Sequence, residues 1–350
     1  MAHDPKREDY QRLSLRFVRE LDASDPATAA RAFATFGRRF AQDRDSLPQT
    51  DADRAFHLVT LASEVVDYRL PFATDAQAEQ LIARGKELLD EALSLDPDCF
   101  DALRMRCSSE SPTVEARYQF LLEREPHVRS ACEKARELAL AQEPADGDRA
   151  ALAADLAMRP WRRWMASVAE EALICGRNQA SIDAAERLLA NDPHDSCDVR
   201  FTLAYALAKL EDEDGLAELG RHYATISPLR PDDDAWILLA RTALAHKRYD
   251  LATAHELMRQ LLASYPGAGA TLIRQVELPD GEFSRLNVSP YSEDELILAT
   301  SEGIVLFQEG VERSGKGVFG AWVAKTVAEL DPSAAKSAEQ EERAERVERR

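Results

Sequence analysis

The sequence predicts an all-α protein in which antiparallel helix pairs stack into an α-solenoid. Apolar residues recur at helical spacing along most of the chain, and no alternating run is bounded by a hairpin turn. Prolines also recur at intervals close to the length of one helix pair. With 350 residues, 45% hydrophobic and 31% charged, the chain is long enough for a sizeable core and unlike a disordered protein.

Apolar stripes predict the individual helices in order. The first two stripes are Leu13, Phe17 and Leu21, and then Phe33, Phe36 and Phe40. Two wider stripes follow at Ala55, Leu58, Val59, Ala62, Val65 and Val66, and at Leu81, Ile82, Gly85, Leu88, Leu89, Ala92 and Leu93. A helix pair is then predicted, with its first helix from Pro160 to Cys175, a turn at Gly176 and a second helix that ends at Leu188-Leu189 before Asp192-Pro193. Within that pair the small residues Ala169, Ala172 and Ser181 predict a close approach of the two helices.

The spacing of prolines gives a repeat length. Pro97, Pro126, Pro160, Pro193, Pro228 and Pro266 are separated by 29 to 38 residues. A helix–turn–helix unit of about 34 residues is the period of the tetratricopeptide repeat (TPR). In this interpretation Pro160 begins a helix, whereas Pro97 and Pro193 follow helix ends. One unit reads Trp236, Leu239, Ala240, Ala243, Tyr249, Ala252, Leu257 and Leu261, which is close to the W-x-x-L-small…Y…A pattern of such repeats.

Three segments carry a resemblance to a known family. They are KELLDEALSLDPDCFDAL (86–103), the stretch from Met158-Arg159-Pro160-Trp161 through GRNQASIDAAERLLANDPHD and DVRFTLAYALAKLED, and Ser289-Pro290-Tyr291-Ser292 with the acidic residues after it. Over residues 76–331 the chain resembles a bacterial TPR-like family related to the suppressor-of-tumorigenicity proteins. The resemblance implies an all-helical array used for protein contacts and carries no catalytic residue. TPR arrays that grip C-terminal carboxylates use Lys and Asn, whereas Ala166, Glu170, Ile237 and Arg241 stand at comparable places here.

Five segments are expected along the chain. Residues 1–50 form capping helices, because a terminal repeat needs a polar outer face, and residues 51–265 form the repeat array. Residues 266–292 contain several glycines and prolines and are predicted to be a long loop. Residues 293–332 form two closing helices. Residues 333–350 contain five basic and five acidic residues and are predicted to be a flexible charged tail.

Motifs for catalysis, metals and cofactors are not found in the sequence. No H-E-x-x-H, G-x-G-x-x-G, G-x-x-x-x-G-K-[ST] or G-x-S-x-G occurs. His194 and Cys197 are the nearest ligand pair, and we interpret them as part of a turn between repeats. The carboxylates of 232–234 are interpreted as a helix N-terminus. We therefore expect no enzyme, no metal and no cofactor.

Charge and cysteine usage narrow the partners and the compartment. The net charge is −19, which disfavours nucleic acid and favours a protein partner with a basic segment. The N-terminus lacks an apolar signal region, and no apolar run reaches membrane-spanning length, so we expect a cytoplasmic protein without membrane contact. The five cysteines are odd in number and are expected to be reduced and packed in the core.

Candidate binding residues are aromatic and basic. Arg159, Trp161, Arg162, Arg163 and Trp164 form one cluster that suits a partner-binding patch, because Trp and Arg dominate interface hot spots. The alternative, slightly favoured, is that the tryptophans pack inside and the arginines pair with carboxylates. The other candidates are Trp236, Arg241 and Tyr291. Trp236, Tyr205, Tyr223 and Tyr249 carry the same two interpretations, with a core position more strongly favoured.

The function expected from these patterns is a non-enzymatic scaffold or adaptor. Its concave face would hold a partner helix or an extended peptide. Two alternatives remain open. One is an enzyme with its site between the array and the 266–292 loop, and the other is a nucleic-acid-linked regulator that uses the Arg159–Trp164 patch.

Overall fold

A computed structural model describes residues 4–21, 26–70, 73–142, 147–226, 233–278, 288–310 and 315–348. Over these residues the secondary structure is helical, and no β-strand is present. The described chain divides into two compact units, residues 4–167 and residues 168–348. None of its helices combines the length and apolar character needed to cross a membrane. The prediction of an all-α protein is thus confirmed for the described residues.

Seven helices contribute to the first unit. They are α1 (Pro5–Glu20), α2 (Pro26–Gln42), α3 (Asp51–Ser63), α4 (Asp75–Leu95), α5 (Phe100–Glu110), α6 (Val114–Gln142) and the first part of α7 (Gly147–Ile174). A 3₁₀ turn at Arg44–Ser46 precedes α3, and a π-helical segment at Glu64–Arg69 continues it. A capping box begins α3, since Thr50 accepts the Asp53 N–H and the Asp53 carboxylate accepts the Thr50 N–H.

The two wide apolar stripes of the sequence meet in the core of the first unit. Ala55 and Val59 of α3 are buried with Leu88 and Ala92 of α4, as their helical spacing predicts. The backbones approach closely there, because a Cβ on Gly85 would lie 2.8 Å from a methyl group of Val66. The stripe at 33–40 packs separately, with Phe36 stacked on Phe17 of α1 at a ring-centroid distance of 4.8 Å.

The second unit contains the end of α7 and ten further helices. They are α8 (Asn178–Asn191), α9 (Val199–Lys209), α10 (Glu213–Ile226), α11 (Ala235–Lys247), α12 (Leu251–Ser264), α13 (Gly269–Arg274), α14 (Glu293–Glu302), α15 (Ile304–Phe307), α16 (Val318–Leu330) and α17 (Pro332–Glu348). The predicted close approach in the first pair is confirmed. Ser181 of α8 donates its hydroxyl to the Ala169 carbonyl at 2.8 Å, and Ala169, Ala172 and Ser181 are all fully buried.

Helix α11 is the central helix of this unit. Its first six residues, Ala235–Ala240, are all buried, and it contacts α9, α10, α12, α14 and α16. In a simple linear stack each repeat touches only its neighbours. Here α14 and α16 also pack on α11, so the closing helices fold back onto the pairs that precede them.

One turn recurs at the ends of α7, α9 and α11. The residue after each helix cap is left-handed, with φ 72° at Gly176, 60° at Glu211 and 60° at Tyr249. In each case the next N–H bonds to the carbonyl five residues back, namely Arg177 to Ala172 (2.8 Å), Asp212 to Leu207 (3.0 Å) and Asp250 to Ala245 (3.0 Å). The left-handed residues are 35 and 38 positions apart, so three successive helix pairs share one joint at intervals near the predicted period.

Two prolines do not mark helix boundaries, contrary to the sequence interpretation. Pro126 lies inside α6 and Pro160 lies inside α7, which begins at Gly147 rather than at Pro160. An interior proline removes one helical hydrogen bond. Both helices continue because the flanking side chains are anchored in the core: Glu125 accepts a hydrogen bond from Trp161 at 2.9 Å, and Met158 and Val128 are buried.

The predicted loop and tail contain helices. Helix α13 lies within the 266–292 segment, with Ala270 and Leu272 buried, while residues 279–287 lie outside the described residues. Helix α17 occupies most of the predicted flexible tail and packs on α13 and α16. Ala334 and Ala338, one turn apart, are its buried face. The tail prediction was wrong because two alanines suffice for a narrow contact stripe.

Candidate functional site: a groove between helices α10, α11 and α12

The tryptophans of the predicted patch lie inside the first unit. Trp161 and Trp164 are buried on α7. The Trp161 indole N–H donates to a carboxylate oxygen of Glu125, and that of Trp164 donates to the Leu121 carbonyl, both at 2.9 Å. Both indoles therefore have polar partners in the core, as buried tryptophans usually do. They do not form an exposed binding surface, and the packing alternative describes them.

Arg163 is the centre of a buried charge cluster. Its guanidinium donates two hydrogen bonds to the Asp101 carboxylate, at 2.6 and 2.5 Å, and one to Glu8 at 2.9 Å. All three side chains are buried. Burial raises the pKa of Asp101, but the charge and hydrogen bonds of Arg163 outweigh it and hold that pKa below its usual value. This cluster joins α1, α5 and α7 within the first unit.

The remaining arginines of the patch are also paired. Arg159 and Arg162 both bond to Asp155, at 2.8 and 2.5 Å, and Arg159 also donates to Gln11 at 2.8 Å. The five residues of the cluster are thus engaged inside the first unit, as the favoured alternative has it, and do not form a surface patch. A basic residue next to a tryptophan gives the same sequence pattern whether its carboxylate partner belongs to another protein or to another helix of the same chain.

Trp236 and Tyr291 are also engaged internally. The Trp236 ring stacks on Phe201 at 3.7 Å between centroids, and its N–H donates to Glu302 at 2.7 Å. Tyr291 donates its backbone N–H to Glu295 at 3.3 Å. Tyr205 is buried, as predicted, whereas the side chain of Tyr223 lies outside the described residues.

Among the predicted candidates, Arg241 lines an open groove. The groove has a volume of about 620 Å³ and lies between α10, α11 and α12 of the second unit. Its lining consists of Glu213, Leu216, Ala217, Gly220, Arg221, Asp233, Ile237, Arg241, Leu244, Ala245, Arg248, Asp250, Thr253 and Leu257. Ile237 and Arg241, which the TPR comparison places on a groove-lining helix, are both present. The volume is within the range of ligand-binding clefts.

The floor of the groove is apolar and its rim is charged. Leu216, Ile237 and Leu257 contribute one buried apolar side chain from each of the three helices. The rim carries three arginines and three carboxylates. Asp234 begins α11 by accepting the Ile237 N–H at 3.2 Å, so the carboxylates of 233–234 stand at a helix N-terminus, as predicted. Asp232 lies outside the described residues.

Two of the three rim arginines form ion pairs with rim carboxylates. Arg241 pairs with Asp233, and Arg248 of the α11 end pairs with Glu213 of α10. Both arginine side chains remain well exposed, at 46% and 40%. Arg221 is exposed and has no hydrogen bond or ion pair to any described residue. The sequence analysis missed Arg221 and Arg248, because neither stands in a recognisable pattern.

Tyr249 stands at the joint between α11 and α12, between the groove residues Arg248 and Asp250. The sequence favoured a core position, but the side chain is 88% exposed. Its left-handed backbone is unusual for a bulky residue, since the Cβ comes close to the following carbonyl oxygen. Gly176 and Glu211 have the same backbone conformation at the equivalent joints, so Tyr249 differs from them in its exposed aromatic ring.

Metal-ligating and nucleophilic side chains among the described residues bear on catalysis. These residues contain no group of three metal-ligating side chains. Burial raises the pKa of the Cys99 thiol to about 12 and that of Cys132 to about 11, so neither is a nucleophile at neutral pH. The groove has an apolar floor with guanidinium and carboxylate groups at its rim.

Comparison with known proteins does not assign a family. No protein-family model matches the chain, and no curated protein matches it.

Proposed function

We propose that this chain is a non-enzymatic TPR-like scaffold or adaptor that binds a protein or peptide partner in the groove between α10, α11 and α12. The groove is the observation that carries the proposal. Its rim carries three arginines, a residue type that is enriched in binding hot spots, above an apolar floor, and the exposed Tyr249 follows the rim residue Arg248 in the chain. The recurring joint at Gly176, Glu211 and Tyr249 supports a TPR-like arrangement of antiparallel pairs.

The charge of the whole chain adds a separate expectation. A net charge of −19 attracts a partner that carries a basic segment, and added salt weakens this attraction. This long-range effect concerns the complete partner and is distinct from the contacts that a segment makes inside the groove.

A peptide-display selection on the full-length protein tests the proposal. Random dodecapeptides would be selected against the wild type and then measured against two tryptophan variants of α10. Ala217 is exposed and lines the groove, so Ala217→Trp fills it without disturbing the core. Glu218 is exposed but does not line the groove, so Glu218→Trp is the matched control.

The expected result is a set of peptides that bind the wild type and Glu218→Trp but not Ala217→Trp. Selection of no peptide, or of peptides that bind both variants equally, would contradict the proposed site. Circular dichroism of both variants confirms that helix content is unchanged.

A further inference from the structure

The carboxylates of the groove are already engaged. Glu213 pairs with Arg248, and Asp233 pairs with Arg241. Asp250 accepts the Thr253 N–H at 3.1 Å at the start of α12, and hydrogen bonds from Thr253 hold its pKa below the usual value. Each carboxylate of the groove therefore already has at least one partner in this chain.

One guanidinium of the groove is available for a new contact. Arg221 projects five N–H donors on a rigid planar group and has no partner among the described residues. Guanidinium groups match carboxylates in a bidentate geometry. The ion pairs of Arg241 and Arg248 are largely exposed, and such pairs contribute little, so an incoming carboxylate can also exchange with theirs.

The overall negative charge does not oppose this contact at physiological salt. Screening reduces interactions between exposed charges beyond about 8 Å. A carboxylate within hydrogen-bond distance of Arg221 interacts most strongly with that guanidinium, because most of the charges that sum to −19 lie farther from it.

We infer that the peptide segment bound in this groove presents a carboxylate to the Arg221 guanidinium, beside an apolar side chain that faces Leu216 and Ile237. The inference rests on the proposed function and adds the chemistry of the partner segment. Tyr249 at the adjoining joint contributes its ring to the apolar part of that segment, where a large, rigid side chain loses little entropy on binding.

The peptides selected as described above test the inference. They are expected to be enriched in Glu or Asp next to a leucine or an aromatic residue. Arg221→Gln should weaken their binding about tenfold, as the loss of one charge-assisted contact does. Arg38→Gln is the matched control, because Arg38 is another exposed arginine without a partner among the described residues and lies in the first unit.

A double-mutant cycle separates direct pairing from a change of net charge. Replacing the Glu of the peptide by Gln should lower its affinity for the wild type about tenfold and its affinity for Arg221→Gln much less. Two outcomes would overturn the inference and leave the proposed function standing. In the first, the peptides that Ala217→Trp excludes are neutral or basic. In the second, their binding is unchanged by Arg221→Gln. If a labelled oligonucleotide competes with the peptides and its binding also requires Arg221, the group that Arg221 recognises is a phosphate. That result would overturn the inference of a carboxylate. Absence of any peptide sensitive to Ala217→Trp would instead remove the proposed function.

Discussion

Replacing Arg163 by alanine tests the buried charge cluster of the first unit. The Arg163 side chain is 3% exposed and bonds to two buried carboxylates, Asp101 and Glu8. Breaking a buried pair by removing one partner costs ~3–5 kcal/mol, because the other charge stays buried. Glu8 keeps Arg12 at 2.8 Å, and Asp101 keeps Arg104 at 3.5 Å. We therefore expect a loss of about 3 kcal/mol in the free energy of unfolding, at the low end of that range.

Arg162→Ala is the matched control for this prediction. Arg162 is the next residue on the same helix, but its side chain is 12% exposed and its partner Asp155 is 36% exposed. Asp155 also keeps Arg159. A partly exposed pair contributes roughly 0–1 kcal/mol, so the control should lose no more than that. Urea denaturation followed by tryptophan fluorescence measures both, since Trp161 and Trp164 report on the first unit.

The pH dependence of the difference provides a second measurement. Arg163 keeps the pKa of Asp101 below its usual value, so its contribution is present at neutral pH and is lost as pH falls through that lowered pKa. Without Arg163, burial raises this pKa, and the variant protonates Asp101 more readily. The stability gap between wild type and Arg163→Ala should therefore narrow as pH falls toward about 4. Equal losses in the two arginine variants, or a gap that is constant with pH, would refute the reasoning.

Three further predictions concern the second unit. Gly176→Ala should lower the free energy of unfolding by about 1 kcal/mol, because alanine is strained in the left-handed backbone of the joint whereas glycine is not. Tyr249→Gly should leave the free energy of unfolding unchanged or raise it by up to about 1 kcal/mol for the same reason. Urea denaturation midpoints measure both, and a loss above about 1 kcal/mol in Tyr249→Gly would contradict the prediction. Burial lowers the pKa of His246, whose ring centroid lies 5.0 Å from that of Trp322. Stability should therefore fall as pH drops below about 6.5, the usual pKa of histidine. The denaturation midpoint of His246→Phe should fall less than that of the wild type between about pH 7.5 and 5.5. Ala338→Glu should release α17 to limited proteolysis, because Ala338 is buried; unchanged cleavage would show that α17 does not depend on this contact.

The helices with local signals could be predicted from the sequence, whereas the charge pairing could not. Apolar spacing correctly predicted the α3–α4 core, and small residues predicted the contact of Ser181 with the Ala169 carbonyl. Arg163 and Asp101 are 62 positions apart, so no local pattern could show that they pair. The same residue types give the same sequence pattern whether they are exposed in a surface patch or buried in an ion pair.

The groove required a further kind of information. Arg248 and Glu213 come from different helix pairs, 35 positions apart, and their pairing depends on how α10 and α11 pack. The left-handed backbone of Tyr249 was likewise hidden, because the repeat pattern permits a tyrosine there and glycine is the residue that usually marks such a turn. The three joints lie 35 and 38 positions apart, but the sequence did not show which residues they expose.

Helix α11 has two roles. It lines the groove, and it also packs against α9, α12, α14 and α16. An occupant that grips this helix would bind only the assembled unit and would draw the folding equilibrium toward it. Occupancy should thus raise the melting temperature of the whole second unit, so that heat resistance itself becomes a readout of partner capture.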